Sequence, residues 1–280
     1  MKDITTTLGI VRSLILKNFL NILFLVLSLF SIILEKKNMI PRTELIFLDV
    51  GQGDAILIQR DNFQILIDGG PDDNLLYELA KYMPWYDKTI EKVILTHPHD
   101  DHLSGIMVLL KKYIVEEVLY YPISYDNVSY SYLQEEYSNK LKEVKAGDYV
   151  QYQNIFLSII SPLKSSQSKE VNINNESIVL YIVIDGYKVL LMGDAEVEIE
   201  EKLLDYPFIQ GIDILKVGHH CSKTSSSKEF ISFTQPNIAI CSCGSHNRFG
   251  HPHYETIEKF KNMSVQHFIT YEEGSIKFTF

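Results

Sequence analysis

The sequence predicts an α/β protein in which two β-sheets lie between layers of helices. Short apolar runs alternate with turn-forming residues along most of the chain, and in each half a cluster of strands is followed by β-α units. The hydrophobic content of 46% is ordinary for a globular protein. Two such halves in one chain indicate two sheets sandwiched between helices.

The first half supplies three strands in succession and then two β-α units. Gly51-Gln-Gly-Asp54 and Arg60-Asp-Asn62 separate the strands as turns. The predicted strands cover residues 44–50, 55–59, 63–68 and 92–95, and the predicted helices cover 75–83 and 103–112.

The second half repeats this order. Asp185-Gly186 predicts a hairpin turn between the first two strands, and an acidic helix follows them. The predicted strands are 177–184, 187–192, 212–217, 237–242 and 275–280, with the helix at 195–204. Residues 117–137 carry six tyrosines; a partly buried connection is the favoured interpretation, and a shelf for stacking bases or sugars is the alternative.

The N-terminal 38 residues are predicted to be a separate segment. Residues 19–34 are almost wholly apolar, and residues 13–16 extend the stretch toward the ~20 residues that cross a bilayer. No small-x-small cleavage site follows, which favours an uncleaved single-pass membrane anchor over a signal peptide; a buried amphipathic helix is a third alternative. Basic residues are equally numerous on the two sides of the apolar stretch, so their distribution does not indicate the orientation. A single N-terminal anchor most often leaves the following domain outside the cytoplasm, and on that ground alone we expect residues 39–280 to be extracytoplasmic.

The charge of this domain limits its partners. Residues 1–38 hold five basic and two acidic side chains, which leaves 21 basic and 34 acidic residues and a formal charge of −13. An acidic protein is poorly suited to broad contact with duplex phosphates. The three cysteines, Cys221, Cys241 and Cys243, are odd in number and allow no disulfide framework to be inferred, so burial of each is expected.

One loop carries a cluster of metal-ligand residue types. His97, His99, Asp101 and His102 lie within six positions, between a predicted strand and a predicted helix. Neutral imidazole and carboxylate are the ligands that borderline divalent ions take in proteins. The cluster therefore predicts a metal site at a strand-to-helix corner.

The second half offers partners for this cluster. Asp194 follows a predicted buried strand and either caps the next helix or bridges two ions, and bridging is preferred beside a histidine cluster. His219 and His220 follow the next strand. We expect His219 to bind metal and His220 to pack or to donate a hydrogen bond to substrate.

Five sequence stretches together resemble the metallo-β-lactamase superfamily, and most of all the soluble domain of the ComEC competence family and its stand-alone relatives. They lie within residues 44–280 and are Leu48-Asp-Val-Gly-Gln-Gly-Asp-Ala55, Ile67-Asp-Gly-Gly70, Asn174-Asn-Glu-Ser-Ile-Val-Leu180, Leu215-Lys-Val-Gly-His-His220 with Ser222-Lys-Thr-Ser-Ser226, and Asn247-Arg-Phe-Gly-His-Pro-His253. The resemblance implies a four-layer αβ/βα sandwich with a dinuclear site along its upper edge. It also implies that Asp68 orients a ligand histidine. Where such relatives usually have glycine after the histidine pair, this chain has Cys221, which we expect to pack.

The resemblance implies two ions, Zn²⁺ or Mn²⁺. The first would have His97, His99 and the bridging Asp194, and the second Asp101, His102 and His219. No histidine occurs between His102 and His219, where many members supply a third imidazole to the first ion. Oxygen ligands are weaker there, so we expect the first ion to be held less tightly and Mn²⁺ to be accepted as well as Zn²⁺. The residues at the corresponding place are Asn174, Asn175 and Ser177.

These features predict a membrane-anchored metal-dependent hydrolase, most plausibly a nuclease or phosphodiesterase related to competence DNA processing. Asp101 would position the attacking water and Asp194 would bridge the ions. The substrate would be a phosphodiester or phosphoester, with single-stranded DNA a candidate, and no protein partner is predicted. A phosphoesterase acting on cell-wall polymers and a non-catalytic metal-binding assembly subunit are the alternatives.

Six further residues are assigned to the substrate or to structure. His251 and His253 would hold or protonate the substrate, with a structured turn around Pro252 as the alternative. Helix capping before Lys228 is equally consistent with the serine-rich run. The residues expected to hold substrate are Lys223, Ser225, Ser226 and Asn247.

Overall fold

The structure, a computed structural model, describes residues 15–31, 42–163 and 172–280. The chain divides into two units at Arg42. In the first unit, residues 15–31 form a helix, α1. No helix among the described residues combines the length and the apolar character needed to cross a bilayer, so the predicted membrane-spanning helix is not supported. The boundary predicted after residue 38 lies outside the described residues.

The second unit contains fourteen strands and seven α-helices among its described residues. The strands are β1 (Thr43–Phe47), β2 (Ile56–Arg60), β3 (Phe63–Ile67), β4 (Thr89–Leu95), β5 (Ile114–Tyr120), β6 (Leu141–Glu143), β7 (Tyr149–Tyr152), β8 (Ile155–Ser161), β9 (Val179–Ile184), β10 (Tyr187–Leu191), β11 (Ile214–Lys216), β12 (Ile238–Cys241), β13 (Gln266–Ile269) and β14 (Ile276–Thr279). The helices are α2 (Asn74–Tyr82), α3 (Asp100–Leu109), α4 (Val128–Glu136), α5 (Val197–Leu203), α6 (Lys228–Thr234), α7 (Tyr254–Asn262) and α8 (Thr270–Glu273).

The strands form two mixed sheets of seven. The first has the order β14-β1-β2-β3-β4-β5-β6 and the second has the order β13-β12-β11-β10-β9-β8-β7. Strands β3 to β6 are parallel to one another, as are β10 to β13. The last strand, β14, pairs antiparallel with β1 and so belongs to the first sheet, although the sequence places it at the end of the second half.

Alternate side chains of the strands face two different cores. In β1, Ile46 packs against α2 and α3 on the outer face, whereas Leu45 and Phe47 face the second sheet. A third core lies on the outer face of the second sheet, where Leu190 and Leu215 pack beneath α5 and α6. Helices, sheet, sheet and helices therefore form four layers, and the predicted αβ/βα sandwich is confirmed.

The parallel strands determine where polar side chains meet. The carboxyl ends of parallel strands lie at one edge of a sheet, where loops converge. Asp68 follows β3, His97 follows β4, Asp194 follows β10 and His220 follows β11. Helix α3 begins at Asp100, three residues before the predicted start, because Asp100 and Asp101 occupy its first turn, where acidic side chains are favoured.

Candidate metal centre

Asp68 orients two of the histidines in the loop after β4. Its Oδ2 atom lies 2.8 Å from His102 Nδ1 and accepts a 2.7 Å hydrogen bond from the Thr96 hydroxyl. Because that hydroxyl donates to Asp68, it accepts from His97 Nδ1, 3.1 Å away. Both imidazoles therefore carry their proton on Nδ1 and present the Nε2 lone pair to the site. The sequence predicted this role for one histidine, and the geometry extends it to two.

His220 is aimed into the site by an unusual backbone. Three successive residues, His219, His220 and Cys221, have φ of 47°, 53° and 63°. Non-glycine residues in this left-handed region cost about 1–3 kcal/mol each, so the surrounding structure must hold them there. His220 is buried, and its Nδ1 donates to the Ser242 carbonyl oxygen at 2.9 Å, which leaves the Nε2 lone pair facing the carboxylates.

The structure reverses the expected roles of His219 and His220. His220 Nε2 lies 3.3 Å from Asp101 Oδ2 and 3.3 Å from Asp194 Oδ2. His219 is instead partly exposed, with its Nδ1 2.9 Å from Glu196 Oε1 and 3.1 Å from the Thr224 hydroxyl. The left-handed turn points the two side chains in different directions, and of the two only His220 reaches the carboxylates of Asp101 and Asp194.

Two groups of ligand atoms converge around Asp194. The first ligand group is His97, His99 and Asp194, and the second ligand group is Asp54, His102, Asp194 and His220. Within each group the candidate atoms lie within 4.8 Å of one another. Asp101 adjoins the second group through the 3.3 Å approach of its Oδ2 to His220. Asp194 is shared, as the bridging interpretation requires.

Asp54 and Lys216 were missed by the sequence reasoning. Lys216 is fully buried; its Nζ contacts Asp54 Oδ2, donates to the Gly193 carbonyl oxygen at 2.9 Å and lies 3.9 Å from Asp194 Oδ1. Asp54 Oδ1 lies 3.3 Å from His220 Nδ1. Both residues stand in motifs quoted above, but their pairing joins the two sheets and has no local signature.

The residues present fit divalent cations. His102 Nε2 and His220 Nε2 approach to 3.3 Å, and both are assigned lone pairs by the partners of their Nδ1 atoms. Two lone pairs at that distance repel unless a cation or a proton lies between them. With neutral imidazoles, the carboxylates of Asp54, Asp68, Asp101 and Asp194 outweigh the single ammonium group of Lys216, so the centre is anionic.

The electrostatics of the protein alone favour positive charge at the same point. Burial lowers the pKa of His220, but the Asp194 and Asp54 carboxylates outweigh it and hold that pKa well above its usual range. Burial raises the pKa of Asp194, and the imidazoles of His220 and His102 reverse this and hold it well below its usual range. A field that stabilises protonated imidazole also stabilises a bound cation.

The centre lies at the floor of a cavity of about 480 Å³. His99, Asp101, Asp194, His219 and Asn174 are among its lining residues. The mouth carries aromatic and cationic side chains: the Tyr125 ring lies 5.4 Å from the His99 ring, and the Arg248 guanidinium lies 4.8 Å from the centre of the Phe249 ring. The lining residues at the mouth are Gln52, Pro71, Asp100, Tyr125, Arg248 and Phe249.

His251 and Asn247 lie beside the cavity in different roles. The His251 ring is buried 5.3 Å from the His219 ring, and its Nδ1 has no hydrogen-bond partner among the described residues. Burial and the nearby imidazoles of His220, His219 and His253 lower the pKa of His251 to about 4. Asn247 donates to the Gly244 and His251 carbonyl oxygens and accepts from two backbone N–H groups, so it shapes the loop and has no free group for substrate.

Four other predicted substrate residues, Lys223, Ser225, Ser226 and His253, lie outside the lining of this cavity. Ser225 is fully buried and its hydroxyl donates to the Gly218 carbonyl oxygen, while the Ser226 backbone N–H donates to Glu200. His253 precedes α7 and its Nδ1 accepts from the Lys223 backbone N–H at 3.1 Å. None of these residues lines the described cavity. The capping alternative holds instead, with the Ser227 hydroxyl accepting from the Phe230 N–H at the start of α6.

The cysteines form one disulfide. Cys221 is joined to Cys241, with their Cα atoms 5.5 Å apart, and Cys243 is free and buried. Burial was expected for all three, and the pairing was left open by the sequence. The bridge links the residue after His220 to the residue before Ser242, whose carbonyl oxygen receives the His220 hydrogen bond.

Comparison with known proteins agrees with this geometry. The sequence profile of the metallo-beta-lactamase superfamily matches residues 48–246, so the chain belongs to that superfamily. It is 29% identical over 265 residues to ComE operon protein 3 of Bacillus subtilis (strain 168), which covers 85% of this chain and 33% of that protein. It is 32% identical over 239 residues to Recombination protein 2 of Haemophilus influenzae, covering 84% of this chain and 28% of that protein.

The chain spans about a third of the length of these curated relatives. Among solved structures, it resembles the metallo-beta-lactamase fold protein YhfI from Bacillus subtilis with a TM-score of 0.57 and 13% identity, covering 86% of this chain and 99% of that one. At that identity the likeness shows the fold alone. The chain therefore has the fold of the metallo-beta-lactamase superfamily and, in its two ligand groups, a candidate metal centre.

Proposed function

We propose that this protein is a two-metal phosphodiesterase that cleaves single-stranded DNA. The observation that carries the proposal is the pairing of two ligand groups, sharing Asp194, with a cavity whose mouth holds Tyr125, Phe249 and Arg248. Two divalent ions would activate water and neutralise charge on a phosphodiester. The name of the relative Recombination protein 2 is consistent with a DNA substrate.

The side chains divide the work. His97, His99 and Asp194 would hold the first ion, and Asp54, His102, Asp194 and His220 the second. Asp101, whose side chain is 26% exposed, lines the cavity and would position the attacking water. His219 lines the same cavity; because its Nδ1 donates to Glu196, its Nε2 carries a lone pair and would accept a hydrogen bond from a donor group of the substrate.

The mouth suits unstacked nucleotides better than a duplex. Phe249 is 46% exposed, and a base can stack on an exposed aromatic ring. The Arg248 guanidinium lies over the Phe249 ring, 4.8 Å from its centre, and would turn to a phosphate where a base takes its place on the ring. The formal charge of −13 over residues 39–280 opposes extended contact with duplex DNA. A short single strand needs fewer phosphate contacts and would be bound at Arg248.

The test is cleavage by the purified full chain supplied with Mn²⁺ or Zn²⁺. Substrates are single-stranded DNA, duplex DNA and bis-p-nitrophenyl phosphate, with His99→Ala as the inactive control and Arg248→Ala as the mouth variant. We expect single-stranded DNA to be cut fastest. Arg248→Ala should slow DNA cleavage while leaving cleavage of the small diester within about twofold.

Other results would redirect the assignment. Cleavage of the small diester alone would favour a phosphoesterase on another phosphate polymer, such as one of the cell wall. Metal binding without cleavage of any of the three substrates would favour a non-catalytic metal-binding subunit. Activity that survives His99→Ala would contradict the metal centre itself.

A further inference from the structure

One buried oxygen near the first ligand group has no partner. Asn174 lines the same cavity as His99 and Asp194, and its Oδ1 is buried and accepts no hydrogen bond among the described residues. An amide oxygen left unpaired in a buried position is unfavourable, because it loses its hydrogen bonds to water without replacement. The position therefore calls for a cation or a donor that the described side chains do not supply.

The side-chain oxygens of the neighbouring residues Asn175 and Ser177 already accept hydrogen bonds. Asn175 Oδ1 accepts from the Glu196 N–H at 2.9 Å, and its Nδ2 donates to Glu198 at 3.1 Å. The Ser177 hydroxyl oxygen accepts from the Asp194 N–H at 3.1 Å. Of the three residues at this place, only Asn174 has a side-chain oxygen without a hydrogen-bond partner among the described residues.

The orientation of the Asn174 amide is fixed by charge. Its Nδ2 lies 3.3 Å from Glu196 Oε1, and the same carboxylate oxygen receives His219 Nδ1 and the Thr224 hydroxyl. A carboxylate only accepts, so the amide must present its NH₂ to Glu196 and its oxygen away from it.

We propose that Asn174 Oδ1 is the fourth protein ligand of the first metal position, completing His97, His99 and Asp194. The proposal rests on the metal-dependent function proposed above. The ligand set then contains two imidazoles, a carboxylate and an amide oxygen. Carbonyl and carboxylate oxygens are ligands that suit Mn²⁺, and imidazoles are ligands that suit Zn²⁺. A position with two oxygen and two imidazole ligands therefore discriminates less strongly against Mn²⁺ than a position with three imidazoles does.

The test measures metal binding, independent of catalysis. The full chain is stripped of metal and titrated with Mn²⁺ by electron paramagnetic resonance and with Zn²⁺ by calorimetry, for the wild type, Asn174→Ala, Asn174→Asp and Asn174→His. Asn175→Ala is the matched control, from the same turn. Thermal unfolding of each metal-free variant shows that it is folded.

We expect Asn174→Ala to weaken Mn²⁺ binding at one of two positions by at least about tenfold. Asn174→Asp should restore it, and Asn174→His should raise the ratio of Zn²⁺ to Mn²⁺ affinity. Asn175→Ala should bind as the wild type does. Wild-type affinity in Asn174→Ala, or an equal loss in Asn175→Ala, would overturn the assignment even if DNA is cleaved. Altered metal binding without cleavage of any substrate would leave it standing and reject the nuclease.

Discussion

At the scale of single residues, the histidine pair after β11 shows how one left-handed turn gives two neighbouring side chains different surroundings. His219 and His220 are chemically identical neighbours, and both have positive φ. Only His220 approaches Asp101 and Asp194, because its partner Ser242 lies on the adjacent strand end. His219 turns to Glu196.

This difference predicts unequal effects of two matched substitutions. His220→Ala should remove one of two bound ions, or weaken its binding by at least about tenfold, since it deletes a ligand atom. His219→Ala should retain both ions because it deletes only a contact at the cavity wall. Metal content after equilibrium dialysis measures both. Loss of metal from His219→Ala and not from His220→Ala would restore the original sequence prediction.

A second residue-scale prediction concerns His251 in the metal-free protein. Its pKa in the folded state is lowered to about 4 from an ordinary value of 6.5, so between these values the unfolded chain binds the proton and the folded chain does not. The contribution to stability is therefore present above pH 6.5 and is lost as pH falls toward 4. Between pH 7.5 and 4.5 the free energy of unfolding falls for the wild type as His251 is protonated in the unfolded chain. For His251→Gln this fall should be smaller by about 1–2 kcal/mol, allowing for solvent screening. Urea unfolding at both values tests it; parallel losses would contradict it.

At the scale of elements, the close contact of α3 with the loop after β3 aligns the ligands. A Cβ on Gly105 would overlap the Gly69 carbonyl oxygen and lie 2.7 Å from its carbon. Gly69 in turn donates to the His102 carbonyl oxygen at 2.8 Å. The contact joins the element that carries Asp101 and His102 to the loop that carries Asp68.

Gly105→Ala should therefore lower the free energy of unfolding by about 1–3 kcal/mol, since the overlapped atoms belong to backbone and cannot move aside cheaply. Ser104→Ala, the next residue in the same helix, should stay within about 0.5 kcal/mol of the wild type. Equal stability of Gly105→Ala and the wild type would mean that the helix can shift away. Chemical denaturation of the metal-free variants provides the comparison.

The sequence predicts elements better than their ends and local ligands better than distant ones. The cluster at His97–His102 is legible because its members share one loop, and Asp68 was found through a motif. Asp54 and Lys216 escaped because their ion pair joins strand ends of different sheets and no spacing along the chain records it. The predicted start of α3 was three residues too late because the first turn of the helix is polar. The choice between His219 and His220 depends on the direction that a left-handed turn gives each side chain, which no sequence pattern shows.

At the scale of the whole molecule, charge limits what can reach the centre. The domain carries 34 acidic side chains against 21 basic ones after residue 38, while the cavity mouth offers Arg248. Long-range attraction for a nucleic acid is therefore weak, and binding depends on contacts at the cavity.

Duplex DNA should accordingly bind with a shallow dependence on salt. A protein that neutralises many phosphates shows a slope of log Kobs against log salt of about −0.9 for each phosphate, and we expect a slope no steeper than about −2. Fluorescence anisotropy between 50 and 200 mM salt, with the inactive His99→Ala variant to prevent cleavage, measures it. A slope near −6 would reveal a basic binding surface outside the cavity.

The disulfide beside His220 makes the metal centre sensitive to reductant. Closing a loop of this length contributes about 3 kcal/mol, and here the bond also holds Cys221 at a left-handed φ that glycine would adopt without strain. The stability deficit of Cys221→Gly relative to the wild type should shrink by about 3 kcal/mol when a phosphine reductant is added, whereas Cys243→Ala should show no such change. A redox-independent deficit would contradict this. Thiol oxidation thus helps to determine how firmly the imidazole of His220 is aimed, and with it how firmly this protein retains its ions.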